Sequence, residues 1–245
     1  MDVHLATEGL NIKRFLLRNR HSLQYNAAKW RFLRLFLSAE IGMDGMDIDE
    51  KSSWNQKFSA GSHTSLDPDP FLVSAYDEFL SGQPHGSALD VAGGAGRHSI
   101  WLAQRGWRTR LLDISDVGVG LAERNASRAL GPVRKEFLIN AEVADLNQTQ
   151  ELGVEQYDLV LVFFYLRREL FPALITALKP GGFLIYKTYT TDQQRFADGA
   201  LKSGPSHPMF LLQPNELLEA FQSLRVLHYH ETIHGKGIAE LVAQK

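Results

Sequence analysis

The sequence predicts a doubly wound α/β domain, a three-layer sandwich with helices on both faces of a mostly parallel sheet. Two observations predict it. From Trp54 to the C-terminus, short apolar runs alternate with helix-length segments, and strands joined by helices make right-handed crossovers between parallel neighbours. The first apolar run then ends in glycines, Gly93-Gly94-Ala95-Gly96, that open a helix. In open α/β sheets that is where ligands bind.

Each element has its own signal. Ser87 to Ala92 is the short apolar run leading into the glycines, and Arg97 to Arg105 reads as a helix stopped by Gly106. Arg108 to Ile114 is the second strand, and Ser115 is an N-cap for a helix through Leu130. Phe137 to Leu146 supplies the third strand. Tyr157 to Tyr165 is continuously apolar, as a strand buried on both faces should be. Glu169 to Leu178 is helical and ends at Lys179-Pro180-Gly181-Gly182; Phe183 to Tyr189 is the next strand. Pro214 to Leu224 is helical, and two strand-like runs close the chain, Val226 to Thr232 and Ile238 to Ala243. That makes seven strands.

Composition narrows the function classes. A chain of 245 residues, 44% hydrophobic, can build one α/β core and an appendage. A formal charge of -2 gives no global pull toward nucleic acid or anionic membrane. The absence of cysteine excludes disulfides, thiolate metal sites and a cysteine nucleophile. No apolar run approaches the ~20 residues of a spanning helix, so a cytoplasmic protein is expected. Residues 1–50 read as an N-terminal extension, basic and aromatic from Asn11 to Leu37 and then acidic and glycine-rich, with the domain spanning 51–245. Three readings of the extension stay open: a presequence for an organelle, a basic amphipathic helix for a membrane or partner, or a non-essential extension with Met43 or Met46 as the natural start.

The glycine turn carries the chemistry. Glycine permits positive φ and removes the Cβ that would keep a ligand off the backbone, and free N–H groups at the helix start receive an anionic group. Such a turn also serves nicotinamide and flavin nucleotides, so its surroundings decide. Asp90 lies inside the strand before it, where a carboxylate can hold an ammonium group or orient the turn. Asp113 ends the second strand, placed to accept from both ribose hydroxyls. Asp145-Leu146 ends the third, where the acid can take an adenine amino group and the leucine can pack on the ring. Each acid has an ordinary alternative as a strand-end or capping residue.

The series Leu89-Asp-Val-Ala-Gly-Gly-Ala-Gly96, Leu112-Asp-Ile-Ser115, Ala144-Asp-Leu146, Tyr157-Asp-Leu-Val160 and Leu178-Lys-Pro-Gly-Gly182 resembles class I S-adenosylmethionine-dependent methyltransferases. More narrowly, Trp54-Asn-Gln-Lys-Phe-Ser-Ala-Gly61, Arg97 and Glu216-Leu-Leu218 resemble the tellurite-resistance-type branch. The resemblance implies a Rossmann-like seven-stranded sheet with an antiparallel last strand, and S-adenosyl-L-methionine as cofactor. It implies cofactor contacts from Asp90, Ala92, Gly93, Gly94, Gly96, Arg97, Asp113, Ile114, Ala144, Asp145, Leu146 and Phe163. The class has glycine where this chain has Ala92, a small change if φ there is negative.

Methyl transfer from a sulfonium needs chiefly alignment and exclusion of water. The resemblance implies a small-molecule acceptor, a soft oxyanion or a thiol-like compound, met by Trp54, Phe58, Tyr165, Arg168 and Tyr189, with Lys187 and Thr190 as further pocket residues. Tyr165 is the first choice to face the methyl group, and Phe164 is expected to pack under a helix. Arg167 and Arg168 begin a helix, where the dipole disfavours cations; an anionic acceptor, an internal acid partner and solvation remain open. His230 or Glu231 is a candidate base. His228, His230 and His234 lack a compelling third ligand, so no metal is expected. The stretch from Thr191 to Pro208 reads as a flap over the acceptor or a plain loop. Two other functions compete: a non-catalytic binding module of the same fold, and an NAD-dependent oxidoreductase, which Asp90 and the Lys179 turn disfavour.

Overall fold

Capping chemistry sets where the first helices begin. In the computed structural model, which describes residues 49–148, 151–196, 204–205 and 207–245, the Asp49 carboxylate accepts the Ser52 N–H at 3.2 Å and starts α1, Glu50–Ser59. The helix thus begins ahead of Trp54, on a cap inside the acidic end of the extension. The basic and aromatic segment and its three readings lie outside the described residues. Asp69 caps α2, Pro70–Ala75, by accepting from the Phe71 N–H at 2.9 Å, with Pro70 at the first helical position where its missing N–H costs nothing.

The sheet then alternates with helices: β1 Ser87–Val91, α3 Arg97–Gln104, β2 Arg108–Asp113, α4 Asp116–Leu130, α5 Pro132–Leu138, β3 Ile139–Val143, β4 Tyr157–Phe163, α6 Phe171–Ala177, β5 Leu178–Tyr189, α7 Glu216–Ala220, β6 Arg225–Thr232 and β7 Ile238–Gln244. The seven strands lie in the order β3-β2-β1-β4-β5-β7-β6. β1 through β5 are parallel, and β7 runs antiparallel between β5 and β6. This is the expected Rossmann-like sandwich. Among the described residues, no helix is long and apolar enough to cross a membrane.

Some boundaries differ for physical reasons. The third strand is shorter than expected because Phe137 and Leu138 complete α5, which Pro132 starts. The Lys179–Gly182 turn is drawn into β5, since Gly181 N–H bonds the Lys245 carbonyl at 2.8 Å and Lys245 N–H bonds that of Gly182 at 2.9 Å. The preceding helix splits into a 3₁₀ turn, Arg168–Leu170, and α6, which carries Pro172 in its first turn. Pro214 lies outside α7, because Asn215 takes a left-handed conformation at its start. The fourth strand stops at Phe163, since Phe164 leaves the β region with φ +58°.

Both faces of the sheet are buried. Leu89, Val91, Val160, Val162 and Tyr186 pack on Phe171, Leu174 and Phe221, while Ala88, Leu159, Leu161, Phe163 and Ile185 meet Leu72, Trp101, Leu102 and Trp107. β4 alternates between the two layers and is apolar throughout for that reason. Each fully buried leucine contributes about 2 kcal/mol of transfer free energy, which holds the strand ends in fixed register beneath the site.

Candidate functional site

The strand order fixes where a ligand can enter. The chain lays β1, β2 and β3 outward on one side, then crosses to β4 on the other, so the topology reverses between β1 and β4. The crevice beyond their carboxyl ends is the binding place of such sheets. The glycine turn follows β1 on one lip, and Phe164 follows β4 on the other. Asp113 ends β2, and Asp145 comes just after β3, on the same rim.

Three residues of the turn are left-handed: Ala92 at φ +55°, Gly94 at +56° and Gly96 at +86°. The condition under which alanine would be a small change here, a negative φ, is therefore not met. The turn after β1 needs a left-handed residue there, and an L-alanine pays roughly 1–2 kcal/mol for it. Two of the glycines admit the protein's own neighbours. A Cβ at Gly93 would come within 2.7 Å of Leu111 and 2.9 Å of the Asp90 carboxyl carbon, and one at Gly96 within 3.0 Å of Ala122. Gly94 faces the rim, its absent Cβ 4.0 Å from Asp113 Oδ2 and 3.0 Å from Phe58.

The three acids differ in environment. Asp90 is 1% exposed, and its Oδ2 accepts from the Ser99 hydroxyl at 2.7 Å. Burial pushes its carboxyl up to about 6, against the Ser99 bond and the Arg97 charge. Tied to α3 beneath the turn, it has the geometry of an orienting residue. Asp113 accepts the Gly94 N–H at 2.8 Å on Oδ2 and the Ser115 N–H at 2.9 Å on Oδ1. Burial raises its carboxyl and the two N–H bonds oppose the rise. Two bonds leave about half of the carboxylate's acceptor sites for further hydroxyls. Asp145 caps its own turn, accepting from Asn147 N–H at 2.8 Å and Gln148 Nε2 at 2.7 Å. Leu146 is buried in the core with Leu112 and Val91 rather than open to a ring. Ile114 and Ala144 are half-buried, and Ala144 N–H bonds the Asp113 carbonyl at 2.8 Å.

α1 lies on this side of the crevice. Asn55 bonds Asp116 at 2.7 Å and accepts from Ser115 at 2.5 Å, pinning α1 to the start of α4. Buried Phe58 fills the notch between Gly94 and Gly118, where Cβ atoms would approach its ring to 3.0 and 2.8 Å. Trp54 packs against Phe58 at 5.8 Å and under the Lys57 ammonium at 4.0 Å. Phe58, expected on the acceptor side, thus stands at the glycine turn, with Trp54 packed against it.

Across the crevice, Phe163 is buried against the His98 ring at 4.2 Å. Phe164 does not pack under a helix. It is 36% exposed, with Tyr189 at 5.2 Å, the Arg97 guanidinium at 5.9 Å and the Lys187 ammonium at 5.8 Å from its ring. Tyr165 turns back onto the core, and burial raises its hydroxyl pKa. Lys187 is held by Asp69 at 2.8 Å and Glu240 at 3.0 Å. Asp69, whose carboxylate caps α2, also donates its N–H to His98 Nε2 at 3.3 Å. Arg168 meets an internal acid, pairing with Glu216 through both of its carboxylate oxygens and with the Leu211 carbonyl at 2.9 Å. His230 is exposed on the edge strand β6, away from the crevice, and Glu231 accepts the Asn215 N–H at 2.7 Å. His228 packs on Phe71 at 5.5 Å. Among the described residues, no three His, Asp or Glu side chains gather as a metal site.

The comparisons agree with this geometry. Residues 88–182, from β1 into the Lys179 turn, match the family described as methyltransferase domain. No curated protein matches the chain. Among solved structures, an S-adenosylmethionine-dependent methyltransferase from Aquifex aeolicus is similar with a TM-score of 0.55 at 15% identity, over 78% of this chain and 97% of that one. TehB from Haemophilus influenzae is similar at 0.58 and 15%, over 78% and 67%. Geranyl diphosphate C-methyltransferase from Streptomyces coelicolor A3(2) is similar at 0.56 and 16%, over 80% and 96%. Residues 88–182 thus match a methyltransferase domain, and the fold around them is the one seen in these three structures.

Proposed function

We propose that the chain transfers a methyl group from S-adenosylmethionine to a small-molecule acceptor, a soft oxyanion or thiol-like compound, in the crevice between β1 and β4. The observation that carries this reading is the pairing of Gly94 with Asp113: a turn position without a side chain, bonded at 2.8 Å to a carboxylate with acceptor capacity to spare. The cofactor supplies a methyl group already activated on a positively charged sulfur.

The chain's own residues do the rest. Asp113 accepts from the ribose hydroxyls, and Asp145 accepts from the adenine amino group. Arg97, at the start of α3, receives the carboxylate of the methionine part. Asp90 sets the turn from below through Ser99. Phe58 and Trp54 wall the nucleoside side, and Tyr189 stands toward the acceptor. Their common task is alignment and exclusion of water, which is where a reaction of an activated donor gains most. A cytoplasmic setting suits a chain without cysteine.

The test is incubation with methyl-labelled S-adenosylmethionine and a panel of oxyanions and thiols, alongside calorimetric titration with the cofactor and with NAD. The reading expects cofactor binding and label in at least one acceptor. Binding of the cofactor without transfer to any panel member favours a binding module instead, and binding of NAD alone favours an oxidoreductase.

A further inference from the structure

Phe164 stands out among the rim residues. Its backbone is left-handed at φ +58°, a conformation that a bulky side chain rarely adopts and that gathers at functional sites. It is fixed there by its N–H, which donates to the Lys187 carbonyl at 2.7 Å. The strain serves no burial, since the ring stays 36% exposed. What the conformation achieves is direction. Phe163 and Tyr165 on either side turn into the two core layers, whereas the Phe164 ring stands out at the topological switch. There it meets Tyr189 at 5.2 Å with the planes 43° apart. Arg97 flanks it from the glycine side and Lys187 from the β5 side. The Lys187 charge is already met by Asp69 and Glu240, so the surface offered at this point is the exposed Phe164 ring, beside a half-buried Tyr189 against which Gly204 rests.

We propose that Phe164 is the residue that determines acceptor specificity, forming with Tyr189 an aromatic step that selects a flat, aromatic acceptor over a saturated one of the same size. This rests on the reading that the neighbouring glycine turn holds the methyl donor. An aliphatic side chain would supply apolar area equally to both acceptors, and only ring faces discriminate through stacking, by about tenfold for one good pair.

Thiophenol and cyclohexanethiol serve as probes matched in size, titrated under reducing conditions and at a pH low enough that both are neutral thiols, into the protein saturated with S-adenosylhomocysteine and into the protein alone. Wild type is expected to bind thiophenol about tenfold more tightly. Phe164→Leu, which keeps apolar bulk, should bring the two within about twofold, and Phe164→Tyr should restore the preference, with the affinity for S-adenosylhomocysteine unchanged in both. Equal affinities in wild type, absence of binding by either thiol, a preference that survives Phe164→Leu, or a tenfold loss of S-adenosylhomocysteine affinity in that variant would each overturn the proposal. The titration with S-adenosylhomocysteine alone reports separately on the donor site, so failure there removes the functional reading while the thiol arms on the protein alone still judge the step.

Discussion

Ser99 donates its hydroxyl to Asp90 Oδ2 at 2.7 Å, and this bond is the link between the strand under the glycine turn and the helix that leaves it. The carboxylate it reaches is 1% exposed and titrates at about 6 instead of 3.8. A folded pKa raised above the unfolded one means that the folded chain holds the proton more tightly. Its contribution to stability is full below pH 4 and is lost as pH rises through 6. The loss is about 3 kcal/mol. Asp90→Asn keeps the shape and the Ser99 bond but cannot ionise. Urea midpoints of the two proteins should therefore diverge between pH 4 and pH 7, with the variant gaining; parallel curves would refute the assignment.

Ala92 in the left-handed region carries a cost that glycine avoids. Ala92→Gly should stabilise the protein by about 1 kcal/mol, the relieved strain being partly offset by the greater freedom of glycine in the unfolded chain. A higher urea midpoint with no loss of cofactor affinity is the expected result. A lower midpoint would mean that the turn does not hold this conformation.

Arg168 and Glu216 join the 3₁₀ turn ahead of α6 to the start of α7, with Glu216 only 4% exposed. Its Oε2 also accepts the Gln213 N–H at 2.7 Å. Removing one charge from such a pair weakens the hold on the other, so Glu216→Gln should cost about 3 kcal/mol. Because both groups serve the fold, affinity for S-adenosylhomocysteine should stay within about twofold. A large change in affinity with unchanged stability would restore Arg168 to the ligand.

The fold was legible because its signals are local and repeated. β4 is apolar throughout since it touches both core layers, and the order of glycines and acids marks each strand end. What escaped the sequence depended on backbone angles and on partners distant in the chain. Nothing in Phe163-Phe164-Tyr165 says which of three aromatics leaves the strand; that follows from the φ of Phe164 and its bond to Lys187. Arg168 looked available for an anion because its acid lies 48 residues away. Phe58 and Trp54 lie early in the chain and gave no sign that α1 folds over the start of α4 through Asn55. Asp145 illustrates the converse: the sequence singled it out, and the structure adds the capping bonds it makes to Asn147 and Gln148.

The central claim is that the Gly94–Asp113 pair holds the nucleoside of a methyl donor. Calorimetric titration of wild type and Asp113→Ala with S-adenosylhomocysteine tests it most directly. The account predicts binding by wild type and about a hundredfold weaker binding by the variant, as for loss of charge-assisted hydrogen bonds to two hydroxyls. Equal affinity in the two proteins, or no binding by wild type, would contradict it.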